Sequence, residues 1–537
     1  MSGPPESFYL TTAIFYPTAA PPPLHSMFEA IGADVLARYH RLLGDETRFL
    51  TGTDEHSANI ERVARELGRE PAELVAEWAA VWRARFDDFE ISYDRFIRTT
   101  DPDHARASTE MVRRALATGD IYKGTYAGWF CPGDNEFKTD SQIVDGHCPD
   151  HPTLELQWLE EENYFFRLSR YQGALEQLYR EHPSFCEPEH FRNEVLGWLN
   201  DGVTDFSISR AGGTWGIPFP DDPSHSIYVW FDALTNYLTG AGFPDDEGSF
   251  DRWWPADLHV IGKNITRFHC LYWPAMLMSA GLPLPESVFA HGFMQMKGER
   301  MSKTRGNIID PEVAAALFGV DGVRYVVLRE IPFDRDGDVT AESLVRRYNA
   351  ELANDLGNLV NRTVSMSARY LDHALPPVAG ADAPADLELQ AAAASAVESY
   401  HAAMGRHHLD EALGAIMDLT SAANGYAESQ APWARDKEGH GARVGAILGA
   451  MAETCRILGH LMAPFTPAAA AELHAQLGVP AVYDDRGAGG PGLARLLAWG
   501  SGPAGWHTGD AQPLFPRVEL SEGDDAPATT TPAEGAP

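Results

Sequence analysis

From Phe8 to Tyr16 the chain runs Phe-Tyr-Leu-Thr-Thr-Ala-Ile-Phe-Tyr, rich in aromatic and β-prone side chains, and the run stops at Pro17. That pattern predicts a buried strand. After Pro21-Pro22-Pro23, the apolar residues Ile31, Val35, Leu36, Tyr39 and Leu42 recur at helical spacing until Gly44 breaks the pattern. Arg48-Phe49-Leu50-Thr51-Gly52-Thr53 reads as a second strand, which runs into Asp54-Glu55-His56 and then a helical stretch ending at Leu67-Gly68. Strand, helix, strand, helix predicts a parallel α/β sheet. Its ligands gather at the carboxyl ends of the strands, where Tyr16 and Asp54 stand.

From Tyr122 the texture changes. Tyr126 to Trp158 is turn-rich and carries two of the five cysteines, which predicts an inserted subdomain. The α/β pattern returns at Ile227-Tyr228-Val229-Trp230-Phe231-Asp232 and at Leu258-His259-Val260-Ile261-Gly262. Beyond residue 340 the periodicity is helical, over 344–370, 387–405, 409–429 and 442–463. The expected organisation is a split α/β domain (1–121 and 226–340), an inserted subdomain (122–225) and a helical domain (341–520). The Asp/Ala/Pro/Thr-rich stretch 521–537 lacks apolar periodicity and is expected to be a disordered tail. No internal repeat is visible.

Composition narrows the class. Apolar residues are 44% of the 537 and charged residues 22%, so a multidomain globular chain is expected. The net charge of −35 repels polyanions at long range, so any nucleic acid must be met by local basic residues. An odd, sparse set of five cysteines argues against a disulfide framework and for a reduced cytoplasmic setting. Met1 to Glu6 lacks the basic and apolar regions of a signal peptide, and no apolar run approaches a membrane span.

Three features carry candidate chemistry. Arg300-Met301-Ser302-Lys303-Thr304-Arg305-Gly306-Asn307 is a small basic loop in an acidic chain, followed by the helix start Asp310-Pro311. Lys303, Ser302 and Arg300 suit charge stabilisation on a polyphosphate; the plain alternative is a solvated loop. Cys131-x-x-Asp134 and Cys148-x-x-His151, thirteen residues apart, suit two turns around one tetrahedral Zn²⁺, against the alternative of two buried thiols. Asn358 and Arg362 fall on one helix face, and Trp433 follows Pro432 after a helical stretch.

Met301-Ser302-Lys303-Thr304 resembles the Lys-Met-Ser-Lys-Ser loop of class I aminoacyl-tRNA synthetases, with Arg300 at the place of the first Lys. The resemblance spans roughly residues 7–520 and is closest to the methionyl-tRNA synthetase family. It is carried by Phe49 to His56, Glu162-Asn163-Tyr164-Phe165-Phe166, Trp215-Gly216-Ile217-Pro218, Tyr228 to Ala233, His259 to Lys263, Asn354 to Val360 and Leu514-Phe515-Pro516-Arg517, in the family's order. It implies a Rossmann-like parallel sheet, an inserted zinc knuckle and an all-α anticodon-binding domain. It also implies a methionine pocket of Ile14, Tyr16, Trp230, Ala233, Leu234, Tyr237, Ile265 and His269, with Asp54 on the α-ammonium. Aromatic faces suit a thioether.

By the same resemblance His25, Ser26, Gly262, Asn264 and Lys303 would meet ATP, which brings Mg²⁺. Cys131, Asp134, Cys148 and His151 would hold Zn²⁺, with Asp134 where a Cys is usual. Asn358, Arg362 and Trp433 would read the CAU anticodon of methionine tRNA, as unstacked bases are generally read. Two departures stand out. Where the family has His-x-Gly-His, this chain has Pro21-Pro22-Pro23-Leu24-His25-Ser26, in which either His25 or Ser26 takes the second-His position. Asn264 replaces the usual Asp. The activity implied is methionine–tRNA ligation by a monomer. The alternatives are a tRNA-independent amino-acid ligase and a catalytically impaired paralogue that binds methionine or tRNA.

Overall fold

The computed structural model describes residues 7–17, 22–132, 136–138, 143–149, 152, 154–212, 215–301, 309–376, 382–480, 492–503 and 505–519. Two compact units emerge, one built on Ser7–Pro22 with Arg48–His291, the other on Pro23–Thr47 with the chain from Gly292 onward.

At the heart of the first unit is a six-stranded sheet in the order Arg95–Arg98, Glu46–Thr53, Ser7–Thr12, Leu258–Gly262, Val288–His291, Cys186–Glu187. Parallel pairing is fixed by register, with Leu10 opposite Leu258 and Val260 opposite Phe289. All five residues of Leu258–Gly262 are buried, as expected for a strand covered on both faces. Ser7–Thr12 has its sequence successor Glu46–Thr53 on one side and the distant Leu258–Gly262 on the other. Such a reversal of strand order opens a crevice at the carboxyl ends.

The inserted segment forms an antiparallel sheet, Glu136–Lys138, Ile121–Cys131, Gln157–Phe166 and Phe206–Ser207. The run read as a strand over Ile227–Asp232 divides instead. His225–Ile227 pairs antiparallel with Ser209–Ala211, and Val229–Leu234 is a helix buried at every residue but Trp230. A short, continuous apolar run does not distinguish a buried strand from a buried helix. The first strand also ends earlier than its composition predicts, at Thr12, with Phe15 returning to the sheet through a bridge to Thr53.

The second unit is mainly helical. The helix Leu24–Leu43 ends on Gly44 at φ 102°, a left-handed cap that suits glycine. It packs through Gly32, where a Cβ would lie 2.4 Å from the Phe333 ring, and through Asp34, which accepts from Arg324 at 2.6 Å with both side chains fully buried. Arg324 also donates to the carbonyls of Phe465 and Pro464, so the buried guanidinium is satisfied within its own unit. Asp310 caps the helix Pro311–Phe318, accepting from the Glu312 amide at 2.7 Å. The helices Pro384–Met404, Leu409–Gln430 and Gly441–Met462 follow the periodicity of the sequence. Among the described residues no helix is long and apolar enough to cross a membrane.

Candidate active site

The crevice of the first unit is furnished by residues just past the ends of three neighbouring strands. Asp54 follows Glu46–Thr53 and is only 2% exposed. Its amide donates to the Phe15 carbonyl and the Phe15 amide to the Gly52 carbonyl, both at 2.9 Å, which pins the two strand ends together. At Gly52 a Cβ would lie 1.9 Å from the Ile97 carbonyl oxygen, so only glycine permits this approach of the strands. The Oδ1 atom of Asp54 is buried with no hydrogen-bond partner among the described residues. Burial pushes the carboxyl well above its ordinary range, and the neighbouring Asp232 pushes it further.

The two residues after Asp54 are committed to structure. Glu55, fully buried, accepts from Arg98 Nε and Nη2 at 2.7 and 2.9 Å and from Thr53 and Thr100 hydroxyls. His56 Nδ1 meets Asp232 Oδ2 at 2.7 Å. The other oxygen of Asp232 meets His104 Nε2 and accepts from Ser108, both at 2.8 Å. Burial alone would raise the Asp232 carboxyl, but the imidazoles of His104 and His56 outweigh it and hold it well below the carboxylate range. Asp232 thus keeps its negative charge near Asp54, which in turn resists ionising until a cation arrives. No sequence motif assigns Asp232 or His104 this part; His104 lies on the separate helix Pro102–Ala117 and only tertiary packing brings it in.

The aromatic residues of the predicted pocket do converge. Tyr16 meets Trp230 edge-to-face at 6.4 Å, and Trp230 stacks on Phe268 at 3.7 Å. His269 Nδ1 lies 3.0 Å from the Ile265 carbonyl, so it carries the proton and donates; Nε2 then accepts from the Tyr237 hydroxyl at 2.7 Å. Burial pushes His269 down to about 4, so the ring is neutral and reads as an apolar wall with a fixed hydroxyl beside it. Phe268 and His269 belong to a π-helical turn, Phe268–Tyr272, an irregularity that often marks functional sites. Ala233 and Leu234 are buried on the helix Val229–Leu234, and Ile14 packs partly buried against the same core. Gly262 ends its strand buried, and Asn264 is exposed in the turn Lys263–Ile265.

Other predicted residues lie on the second unit. His25 and Ser26 both fall in the first turn of Leu24–Leu43, which has Pro23 at its N-cap position and no acidic residue in that turn. Arg300 closes the short strand Glu299–Arg300 and Met301 is buried, while Ser302 and Lys303 lie outside the described residues. Asn358 and Arg362 share the helix Gly357–Leu371. The Arg362 guanidinium sits 5.4 Å over the Trp433 ring and pairs with Glu428 at 2.7 Å. Trp433 opens the helix Pro432–Lys437 and is half-buried. The structure therefore brings Arg362 and Trp433 together.

For the metal, Cys131 and Cys148 are buried and not disulfide-bonded, whereas Asp134 and His151 lie outside the described residues. Among the described residues no group of three His, Cys, Asp or Glu side chains could hold a metal.

Comparison with known proteins shows the family. Residues 8–156 and 152–364 match the family described as tRNA synthetases class I (M), and residues 376–486 match the anticodon binding domain of methionyl tRNA ligase. The methionine–tRNA ligase of Thermosynechococcus vestitus is 42% identical over 520 residues, covering 96% of this chain and 98% of that one. That of Mycobacterium tuberculosis is 46% identical over 480 residues, covering 88% and 92%. The structure of Mycobacterium tuberculosis methionyl-tRNA synthetase in complex with methionyl-adenylate superposes with a TM-score of 0.89 at 43% identity, over 95% of this chain and 100% of that chain. The chain belongs to the methionyl-tRNA synthetases of class I.

Proposed function

We propose that the chain joins methionine to ATP as methionyl-adenylate, releasing pyrophosphate, and then passes the methionyl group to methionine tRNA. The observation that carries this reading is Asp54: a buried carboxyl with an unfilled oxygen beside the aromatic pocket, at the carboxyl ends of parallel strands. An α-ammonium supplies the cation that the site lacks. Trp230, Tyr16, Ala233, Leu234, Tyr237, Ile14, Ile265 and His269 then enclose a thioether side chain.

For ATP, His25 and Ser26 stand in the first turn of Leu24–Leu43, the positive end of that helix, which carries no acidic residue to repel a phosphate. Gly262 ends the strand Leu258–Gly262 and Asn264 stands in the turn that follows it, where it offers a hydrogen bond in place of a charge. Lys303, with Ser302 and Arg300, stabilises charge as pyrophosphate leaves, and Mg²⁺ accompanies the nucleotide.

The anticodon reading rests on Asn358, Arg362 and Trp433. Stacking platforms cost about 1–3 kcal/mol per base when removed. Trp433→Ala is therefore expected to lower charging of methionine tRNA about ten- to hundredfold, while methionine-dependent pyrophosphate exchange stays within about twofold. Steady-state charging and exchange measured on one preparation check it. A parallel fall of both with the melting temperature would make Trp433 a packing residue.

We assign the four-residue set Cys131, Asp134, Cys148 and His151 to one structural Zn²⁺, a reading supported by two buried thiols that do not pair as a disulfide. Metal analysis should find about one Zn per chain. Cys131→Ser with Cys148→Ser should release it, and a fully active metal-free preparation would count against the site.

A further inference from the structure

Glu55-His56 and Trp215-Gly216-Ile217-Pro218 lie some 160 positions apart in the chain. The fold joins them. Trp215 Nε1 donates to the Glu55 carbonyl at 2.6 Å, and the His56 ring meets the Trp215 ring at 5.4 Å. Gly216 sits at φ +146°, where a Cβ would press within 3.2 Å of Ser226 Cβ, so the loop shape depends on glycine. His56, Trp215 and Gly216, with Arg98, Thr100 and Ala76, line an open cavity of about 520 Å³, all of it within the first unit.

The lining states what the cavity accepts. Arg98 is the cation in it, but Glu55 takes both its Nε and Nη2, so a polyphosphate finds no free charge there. What remains is an indole, an imidazole and a guanidinium plane held from rotating, beside small side chains: surfaces suited to stacking a flat, uncharged heterocycle. His56 is two residues from Asp54, so cavity and ammonium site are within about 7 Å along the chain.

We propose that this cavity receives the terminal adenine base of the tRNA 3′ end. The proposal rests on the reading of tRNA as the acceptor. The base is bonded to the same ribose whose hydroxyl takes the methionyl group, so its seat must adjoin the amino-acid site without overlapping it. A cavity that begins two residues beyond Asp54 meets that requirement. Trp215 and His56 then orient the ribose, and Arg98 supports the base plane.

Ala76 and Ala72, exposed on the helix Pro71–Asp88, allow the cavity to be filled without disturbing the core. Ala76→Phe is expected to keep methionine-dependent pyrophosphate exchange within about twofold. Single-turnover transfer from preformed methionyl-adenylate to tRNA should fall about tenfold or more, as misplacement of a reacting group costs. Intact tRNA should also lose its binding advantage over tRNA shortened by the 3′ adenosine. Ala76→Ser should behave as the unaltered protein, and Ala72→Phe repeats the test should Ala76→Phe fold poorly. Transfer at the unaltered rate in a filled cavity would overturn the proposal. Loss of exchange together with transfer would also overturn it, giving the cavity to methionine or ATP instead. If the unaltered protein exchanges pyrophosphate yet charges no tRNA, the premise fails and the proposal falls with it.

Discussion

Asp54→Asn is expected to weaken methionine binding, and with it methionine-dependent pyrophosphate exchange, by about 10²- to 10³-fold. Truncating one partner of a buried charge pair costs about 2–5 kcal/mol, and Asn keeps the shape while removing the charge. The change should not destabilise the free protein. A buried carboxyl with an unpartnered oxygen and a like charge nearby is itself unfavourable, so the melting temperature should hold or rise. Activity and stability moving apart separates a binding carboxylate from a structural one.

The same residue predicts a pH profile. In the free protein Asp54 is raised well above the ordinary carboxylate range, by burial first and Asp232 second. Methionine brings an ammonium that only the ionised carboxylate can pair with. As pH falls through the raised value, binding competes with protonation and affinity drops by about tenfold per unit. Above it, affinity is flat until the methionine ammonium itself loses its proton. Calorimetric titration with methionine across pH should show this slope in the unaltered protein and its absence in Asp54→Asn.

Lys303→Ala is expected to cut pyrophosphate exchange by about 10²-fold or more, the usual loss for one contact to transition-state charge. Methionine affinity, measured without ATP, should be nearly unchanged, because the residues proposed to hold the amino acid, Tyr16, Asp54, Trp230 and His269, do not include Lys303. Exchange at the unaltered rate would return the loop to an ordinary solvated surface. Restoring His at Pro22 or Pro23 is the complementary experiment, since a large gain in rate would identify the native loop as a weakened form of the family's phosphate site.

Local signals made much of the fold legible. Gly44 and Gly68 stop their helices with positive φ, and Asp310-Pro311 starts one, because each acts through its own backbone. The parallel sheet follows from strand–helix alternation. The run from Ile227 to Asp232 was ambiguous because all its side chains but one are buried in the helical part, which erases the periodicity that separates helix from strand. Asp54 and the aromatic pocket residues are legible through family resemblance. The charge that tunes Asp54 is not: Asp232 is held by His104 and Ser108 from a helix more than a hundred positions away. The contact of Arg362 with Trp433 likewise joins two helices distant in sequence. Such networks exist only in the folded chain.

This chain is expected to make methionyl-tRNA with Pro21-Pro22-Pro23-Leu24-His25-Ser26 standing where the family carries His-x-Gly-His. The most direct test supplies purified protein with methionine, ATP, Mg²⁺ and methionine tRNA, and follows pyrophosphate exchange and acid-stable methionyl ester on tRNA together. Both are expected, with ester formation lost when the CAU anticodon is changed. Exchange without any ester on tRNA, or neither reaction at all, would contradict this expectation.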